Sequence, residues 1–213
     1  MKRFHSTFAV SIFLLFTCTS AWSQIVEFRL ETTDLAGNPV GTVSVGDDFL
    51  FTAYTSHVSG FSDPADAGVF SAFIDVSYDG GLASTTGPID HALRFSTATS
   101  GNLSNGLIDD AGGLATDPGS VPGPVGPTEQ LVFSVPFRAD APGALDFIGS
   151  GSGDQLFAPV LVFGVNTTID PADVDFGSVS LTVVPEPSGM IIFVFGVAGL
   201  LFVRPKHSFR RRR

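Results

Sequence analysis

Hydrophobic and polar positions alternate through most of the middle of the chain. Val26, Phe28 and Leu30 interleave with Glu27, Arg29 and Glu31. Phe49, Phe51 and Ala53 fall on one side of the next run. Phe70, Ala72, Ile74, Val76 and Tyr78 alternate with Ser71, Phe73, Asp75 and Ser77. Leu131, Phe133, Val135 and Phe137 repeat the pattern, and Val179, Leu181 and Val183 close it. Successive side chains of a strand point to opposite faces, so a period of two predicts half-buried antiparallel strands. Leu156 to Phe163 is more continuously apolar, as a central strand is, with Pro159 pointing to an edge or a bulge. No run has a helical period. Turn signals separate the runs: Gly37-Asn38-Pro39, Gly46-Asp47-Asp48, Asp79-Gly80-Gly81 and Pro142-Gly143. Short strands with such punctuation predict an all-β fold, an antiparallel β-sandwich of jelly-roll or immunoglobulin-like type.

One stretch breaks the pattern. Ser100 to Thr128 is rich in Gly, Pro, Asn and Asp, including Asp109-Asp110-Ala111-Gly112-Gly113 and the run from Val121 to Pro127. It reads as a long loop or sheet insertion; the alternative is a binding loop at one end of the sandwich.

Both ends differ from the body. Lys2 and Arg3 precede an apolar stretch from Phe8 to Phe16, and Ala21-Trp22-Ser23 supplies small residues before Gln24. This predicts an export signal over residues 1–23, removed after Ser23 together with Cys18. The apolar run is too short to cross ~30 Å of hydrocarbon comfortably. At the other end, Pro185-Glu186-Pro187-Ser188 is followed by an uncharged run from Gly189 to Val203. The sixteen residues from Ser188 to Val203 would span about 24 Å as a helix. Flanking Arg and Lys can snorkel to make up the difference, so residues 189–203 are expected to form a single transmembrane helix. Arg204, Lys206, Arg210, Arg211, Arg212 and Arg213 follow, and the positive-inside rule keeps them cytoplasmic. The body, residues 24–184, would then be exported through the inner membrane first and anchored afterwards.

Charge sharpens this division. The 213 residues carry a formal net charge of −10. All 21 acidic residues lie between Glu27 and Glu186, where only Arg29, Arg94 and Arg138 are basic, so that stretch carries −18. Such a surface repels phosphate backbones and excludes nucleic acid as a partner. A single Cys excludes a disulfide framework and a cysteine zinc site.

The C-terminal order of Pro-Glu-Pro, a glycine-containing apolar helix and an arginine-rich end resembles the PEP-CTERM tripartite sorting signal of Gram-negative bacteria. The resemblance covers Val183 to Arg213, and its basic end is longer than in many such proteins. It implies recognition of Pro185, Glu186 and Pro187 by an exosortase, a membrane protease-transferase, and delivery to the cell surface or the extracellular polymer matrix. The body, in turn, resembles cohesin-like and carbohydrate-binding-module-like sandwiches. Val43-Ser44-Val45-Gly46-Asp47 leading into a strand, Phe70 to Asp79 with its terminal Tyr78-Asp79, and Leu82 carry that likeness. It implies a nine-stranded jelly-roll sandwich with a role in adhesion or scaffolding, and it carries no binding residue across.

Catalytic chemistry finds little support. His57 and His91 are the body's two histidines; neither has zinc spacing, and both are expected at turns or on the surface. There is no Gly-x-Ser-x-Gly elbow and no phosphate-cradling loop ending in Lys. Asp63-Pro64-Ala65-Asp66 recurs as Asp170-Pro171-Ala172-Asp173, followed by Asp175. Calcium takes 6–8 oxygens, so Asp170, Asp173 and Asp175 are its candidate ligands. The favoured expectation is a turn opened by Asp-Pro, with solvated carboxylates and no cofactor. Together these features predict an exported, non-enzymatic β-sandwich of the cell surface or matrix, with an exosortase, transiently the inner membrane, and extracellular polysaccharide or surface proteins as partners. The alternative is a secreted polysaccharide-acting hydrolase or a carbohydrate-binding protein. A hydrolase would show two facing carboxylates about 5–10 Å apart.

Overall fold

The computed structural model describes residues 25–115, 124–153, 160–164 and 168–186. The expected export signal, residues 187–213 with Pro187, the 189–203 segment and the basic tail, and Leu156 to Pro159 lie outside these. Two sheets face each other. The first is built from β1 (Val26–Thr33), β3 (Asp48–His57), β5 (Ala83–Thr85), β6 (Asp90–His91), β9 (Gln130–Ala139) and β12 (Val174–Asp175). Its order is β12-β1-β3-β9-β5, with β6 also on β9. The second is built from β2 (Thr42–Ser44), β4 (Val69–Ser77), β7 (Thr97–Ser104), β8 (Leu107–Leu114), β10 (Gly143–Gly151), β11 (Val160–Val162) and β13 (Ser178–Val184). Its order is β2-β13-β10-β4-β8-β7, with β11 also on β4.

The described residues thus hold thirteen strands, not the nine implied by the resemblance. The expected antiparallel pairing holds except at two edges, where β12 joins β1 and β2 joins β13 in parallel. The short strands β2, β5, β6 and β12 hold too few residues to show an alternation, which is why the sequence did not reveal them, whereas β11 lies within the apolar run Leu156 to Phe163 expected as a strand. No α-helix occurs among the described residues. The only helical pieces there are three 3-10 turns, Pro64–Asp66, Leu93–Phe95 and Pro171–Asp173. No helix there is long and apolar enough to cross a membrane.

The inward faces follow the predicted register except at Leu131, expected inward, which is 37% exposed while Val132 is buried in its place, because the β3–β9 ladder shifts register between Ala53 and Tyr54. Val26, Phe28, Leu30, Phe49, Phe51, Ala53, Phe133, Val135 and Phe137 are all buried. Their rings fuse the sheets. Phe147 of β10 stacks on Phe51 at 4.7 Å between centroids and meets Phe137 edge-on at 5.2 Å. Tyr78 stands edge-on to Phe137 at 5.0 Å, and its hydroxyl donates to the Ser104 carbonyl at 3.0 Å. Burial pushes the Tyr78 hydroxyl pKa upward. On β4 the alternation is imperfect: Phe73 and Ser71, expected outward, are fully buried, while Phe70 is half-buried against Phe163.

Of the long loop or sheet insertion expected over Ser100 to Thr128, the structure replaces the loop with strands as far as Leu114; residues 116–123 lie outside the described residues. β7 and β8 form a hairpin there, and β8 pairs with β4 along Ser71–Ser77. The glycines and aspartates that hid it are what its geometry needs. Gly112 sits opposite Phe73, where a β-carbon would lie 1.8 Å from the Ala72 carbonyl oxygen. Asp110 adopts a positive φ of 52°, a region that Asp tolerates better than most residues, at a register break of the β4–β8 ladder.

Register also assigns the two chain exits. Val26 lies opposite His57 and Thr33 opposite Leu50, so Ile25 enters at the His57 end of β3. β13 leaves at the other end. The Val45 N–H donates to the Val184 carbonyl, and the Glu186 carboxylate lies 2.9 Å from where a β-carbon on Gly46 would stand.

Candidate functional site

Three places hold chemistry. The first is the C-terminal exit. Pro185 and Glu186 follow directly on β13, whose backbone is paired with β10 on one side and β2 on the other. Gly46, at φ 90°, turns the chain beneath Glu186, and the Arg138 guanidinium stands 3.8 Å from the same point over Gly46.

The second place is a carboxylate group that the sequence did not reveal. Asp75 of β4 and Asp109 and Asp110 of β8 each bring an oxygen within 4.8 Å of the others. The Asp110 N–H donates to Asp75 Oδ1 at 2.7 Å, and the Ser152 hydroxyl donates to Asp110. Only the β4–β8 register joins these residues, so a sequence read with a loop at 109–110 could not find them. The candidate trio Asp170, Asp173 and Asp175 forms no such group. Asp170 Oδ1 accepts the Ala172 N–H and Asp175 Oδ1 accepts the Gly177 N–H, so both are engaged in local turns. The three carboxylates of Asp75, Asp109 and Asp110 hold six oxygens, of which Asp75 Oδ1 and one oxygen of Asp110 already accept hydrogen bonds, leaving fewer than the 6–8 that calcium takes. An ion present at ten times its dissociation constant adds about 1.4 kcal/mol. Each kcal/mol moves the melt by about 2–4 °C in a domain this size. Millimolar calcium is therefore expected to raise the melting temperature by a few degrees at most, measured against chelator. A rise of many degrees would show a fuller ligand set than these three.

The third place surrounds His57, at the end where Ile25 enters. The sequence expectation of a turn or surface histidine is wrong here: His57 ends β3 and is 2% exposed. Its Nδ1 accepts the Gly68 N–H at 3.0 Å, while Nε2 is buried with no hydrogen-bond partner. Phe61 stands edge-on to the imidazole at 5.1 Å. Two open clefts share His57 and Gly60 as a wall. One, about 360 Å³, includes Phe61, Asp66 and Phe163; the other, about 330 Å³, includes Thr168, Asp170 and Asp173. The repeated Asp-Pro-Ala-Asp segments thus meet at one end of the sandwich. Each forms the expected turn: Asp63 accepts the Ala65 N–H at 2.8 Å and Asp170 the Ala172 N–H at 2.9 Å.

Burial pushes the His57 pKa down, opposed by the Ser59 backbone. A proton added at Nδ1 would also confront the Gly68 N–H. The unfolded chain, with an ordinary value near 6.5, takes up protons that folded His57 refuses. Stability from this group is present above about pH 6.5 and falls as pH drops toward its lowered folded value. His91, also lowered by burial, acts in the same direction. The urea midpoint is expected to fall between about pH 7.5 and pH 5.5, and to fall less in His57→Asn. An equal fall in both proteins would remove His57 from the explanation.

On the outer face of the first sheet, Arg29 donates to both Glu129 oxygens at 2.7 and 2.9 Å and pairs with Glu31 at 3.0 Å. Its guanidinium lies 4.2 Å from the Tyr54 ring centroid. The Glu129 hydrogen bond, with Glu31 adding to it, holds the guanidinium pKa above its ordinary value. This network occupies one of the body's three basic residues.

No family model matches the chain, and no curated protein does. Among solved structures, the chain is similar to a cohesin module from a Clostridium perfringens family 33 glycoside hydrolase. That match has 14% identity, 77% of this chain and 100% of that one, and a TM-score of 0.49. It is similar to the seventh ScaB type I cohesin of Pseudobacteroides cellulosolvens at 14% identity, over 77% and 95% of the two chains, with a TM-score of 0.49. A third similar structure is the third ScaC cohesin of Acetivibrio cellulolyticus, solved in complex with the ScaB dockerin. There the identity is 10% over 73% and 99% of the chains, with a TM-score of 0.44.

Proposed function

We propose that this chain is an exported, non-enzymatic binding module that is carried to the cell surface or matrix by C-terminal sorting. The observation that carries the reading is the order of parts at its end: Pro185-Glu186-Pro187, an uncharged run over 189–203, and six basic residues from Arg204 to Arg213. The apolar run halts in the bilayer, where a backbone is satisfied only as a helix. The basic tail holds the run's other end, and hence the motif, on the outer side. Proline lacks an N–H and restrains the residue before it, which keeps Pro185-Glu186-Pro187 extended for a membrane protease of the exosortase type.

The end of β13 at Val184 supports this reading, because the motif begins at the next residue. Four residues, 185–188, reach at most about 14 Å. While tethered, the body would stand with its Gly46 end toward the membrane and its His57 end away from it. Changing Pro185, Glu186 and Pro187 together to Ala is expected to leave the chain in the inner-membrane fraction of an exosortase-bearing host, whereas the wild type moves to the surface or medium. Equal distribution of the two proteins would reduce the C-terminus to a plain tail anchor.

A further inference from the structure

We propose that the folded body restrains its own sorting motif: Glu186 is seated over the Gly46 turn and drawn there by Arg138, and a membrane protease must lift it from that seat to grip Pro185-Glu186-Pro187. The inference rests on the sorting reading and adds to it a device that sets the rate of processing.

The seat follows from how the chain leaves the body. β13 is paired on both sides up to its end, with Val183 opposite Gly143 and Val184 opposite Ser44, and the Val45 N–H donates to the Val184 carbonyl at 2.9 Å. The chain therefore reaches Pro185 in a fixed direction, and the fixed φ of proline limits where Glu186 can go. Its carboxylate lies over Gly46. Oε1 is 2.9 Å from the place of a β-carbon there, so a side chain at Gly46 would fill the seat. The φ of 90° at Gly46 is also one that glycine adopts freely. Arg138 Nη2 is 3.8 Å from the same point, which puts the carboxylate and the guanidinium within about 7 Å of each other, inside the screening length of physiological salt. Turn and arginine form one unit. The Gly46 N–H donates to the Ala139 carbonyl at 2.7 Å, and the Ala139 N–H donates to the Asp47 carbonyl at 2.9 Å.

Charge leaves Glu186 one partner. Arg29 is held by Glu129 and Glu31, and Arg94 lies in the 3-10 turn whose cap, Ala92, donates to Val132. Arg138 is the body's third basic residue, and its guanidinium forms no ion pair among the described residues. Asp48 stands opposite Arg138 in the β3–β9 ladder and shares its field, while Asp47 Oδ2 already accepts the Ser44 N–H at 2.8 Å. Beyond Glu186 only Pro187 and Ser188 precede the uncharged run, a reach of about 7 Å. A protease that reads Glu186 must offer a competing cation and work within that gap while the seat is filled. Its apparent affinity is reduced by the fraction of time the motif is free. Glu186 and Arg138 are both exposed, and exposed opposite charges attract only modestly. Freeing Glu186 is therefore expected to raise the processing rate roughly twofold to fivefold.

The test is a pulse–chase of the full-length chain in a Gram-negative host with an active exosortase, following loss of the C-terminal peptide that carries Arg213. Arg138→Gln removes the cation and Arg138→Lys keeps it. A further chain carries a Gly-Ser spacer of about eight residues between Val184 and Pro185, roughly 25 Å when extended, which leaves the motif and its distance from the uncharged run unchanged. Arg138→Gln and the spacer chain are expected to be processed roughly twofold to fivefold faster than the wild type, and Arg138→Lys at the wild-type rate. In the spacer chain, Arg138→Gln is expected to add nothing. That comparison separates the seat from any effect of Arg138 on folding or export, which a spacer would not abolish. An unchanged or slower rate in Arg138→Gln, or the same acceleration with and without the spacer, would overturn the proposal and leave sorting intact. Retention of Arg213 by every chain would overturn the sorting reading, and this inference with it.

Discussion

Phe147→Ala is expected to destabilise the body by about 4 kcal/mol, and to lower its melting temperature by about 8–16 °C. Phe147 is fully buried and comes from the second sheet, while Phe49, Phe51 and Phe137, which it touches, come from the first. Truncation removes the transfer free energy of one ring and leaves a cavity between two sheets that cannot close over it. It also removes ring pairs that add about 0.5–1.5 kcal/mol each beyond the area they bury. Whole domains are stable by only about 5–15 kcal/mol, so the variant approaches the limit of folding. Urea unfolding checks this. The midpoint should fall with an unchanged slope, and Phe147→Leu should recover much of the loss. A loss below about 1 kcal/mol would mean that the rings do not join the sheets as described.

Gly112→Ala is expected to cost at least about 3 kcal/mol, although it adds one methyl group. The added carbon would stand 1.8 Å from the Ala72 oxygen and 2.8 Å from Phe73 Cα. These are backbone atoms of β4, which lies between β10 and β8, so no side-chain rotation relieves the contact. The β4–β8 ladder must open, and with it the approach of Asp109 and Asp110 to Asp75. Gly41 is the control: nothing lies within 4 Å of a β-carbon there. Gly41→Ala is expected to stay within about 0.5 kcal/mol of the wild type. Thermal melts of the two variants side by side decide the matter. Equal stability would contradict the placement of β8.

The same two positions show how far the sequence could be read. Phe147 sits in a strand that is hard to read from its residues, because Gly143–Gly151 mixes Gly, Ser and Asp with few apolar residues. Its partners Phe49, Phe51 and Phe137 lay in strict alternation, and their faces were legible from that alone. β8 was illegible for the opposite reason. Its close approach to β4 requires Gly112, and its register break uses Asp110 at positive φ, so the residues that build the strand are those that ordinarily mark a loop. The acidic group at Asp75, Asp109 and Asp110 disappeared with it. The recurrence of Asp-Pro-Ala-Asp was visible in the sequence, as was its turn chemistry. That the two copies flank one histidine depends on the meeting of β3, β11 and the turn before β12, which no local pattern encodes. The burial of His57 is hidden in the sequence because Phe61 and Gly68, which pack on it, come from the turns after β3, and no alternation reports where they fold.

The most direct test of the exported, sorted module is the intact mass of the mature protein, purified from a Gram-negative host with an active exosortase. The expected mass lacks residues 1–23 and ends near Pro185-Glu186-Pro187, without the segment 189–203 and without Arg213. A mature chain that still carries Arg213 in such a host would contradict C-terminal sorting and leave a body held by an uncut tail.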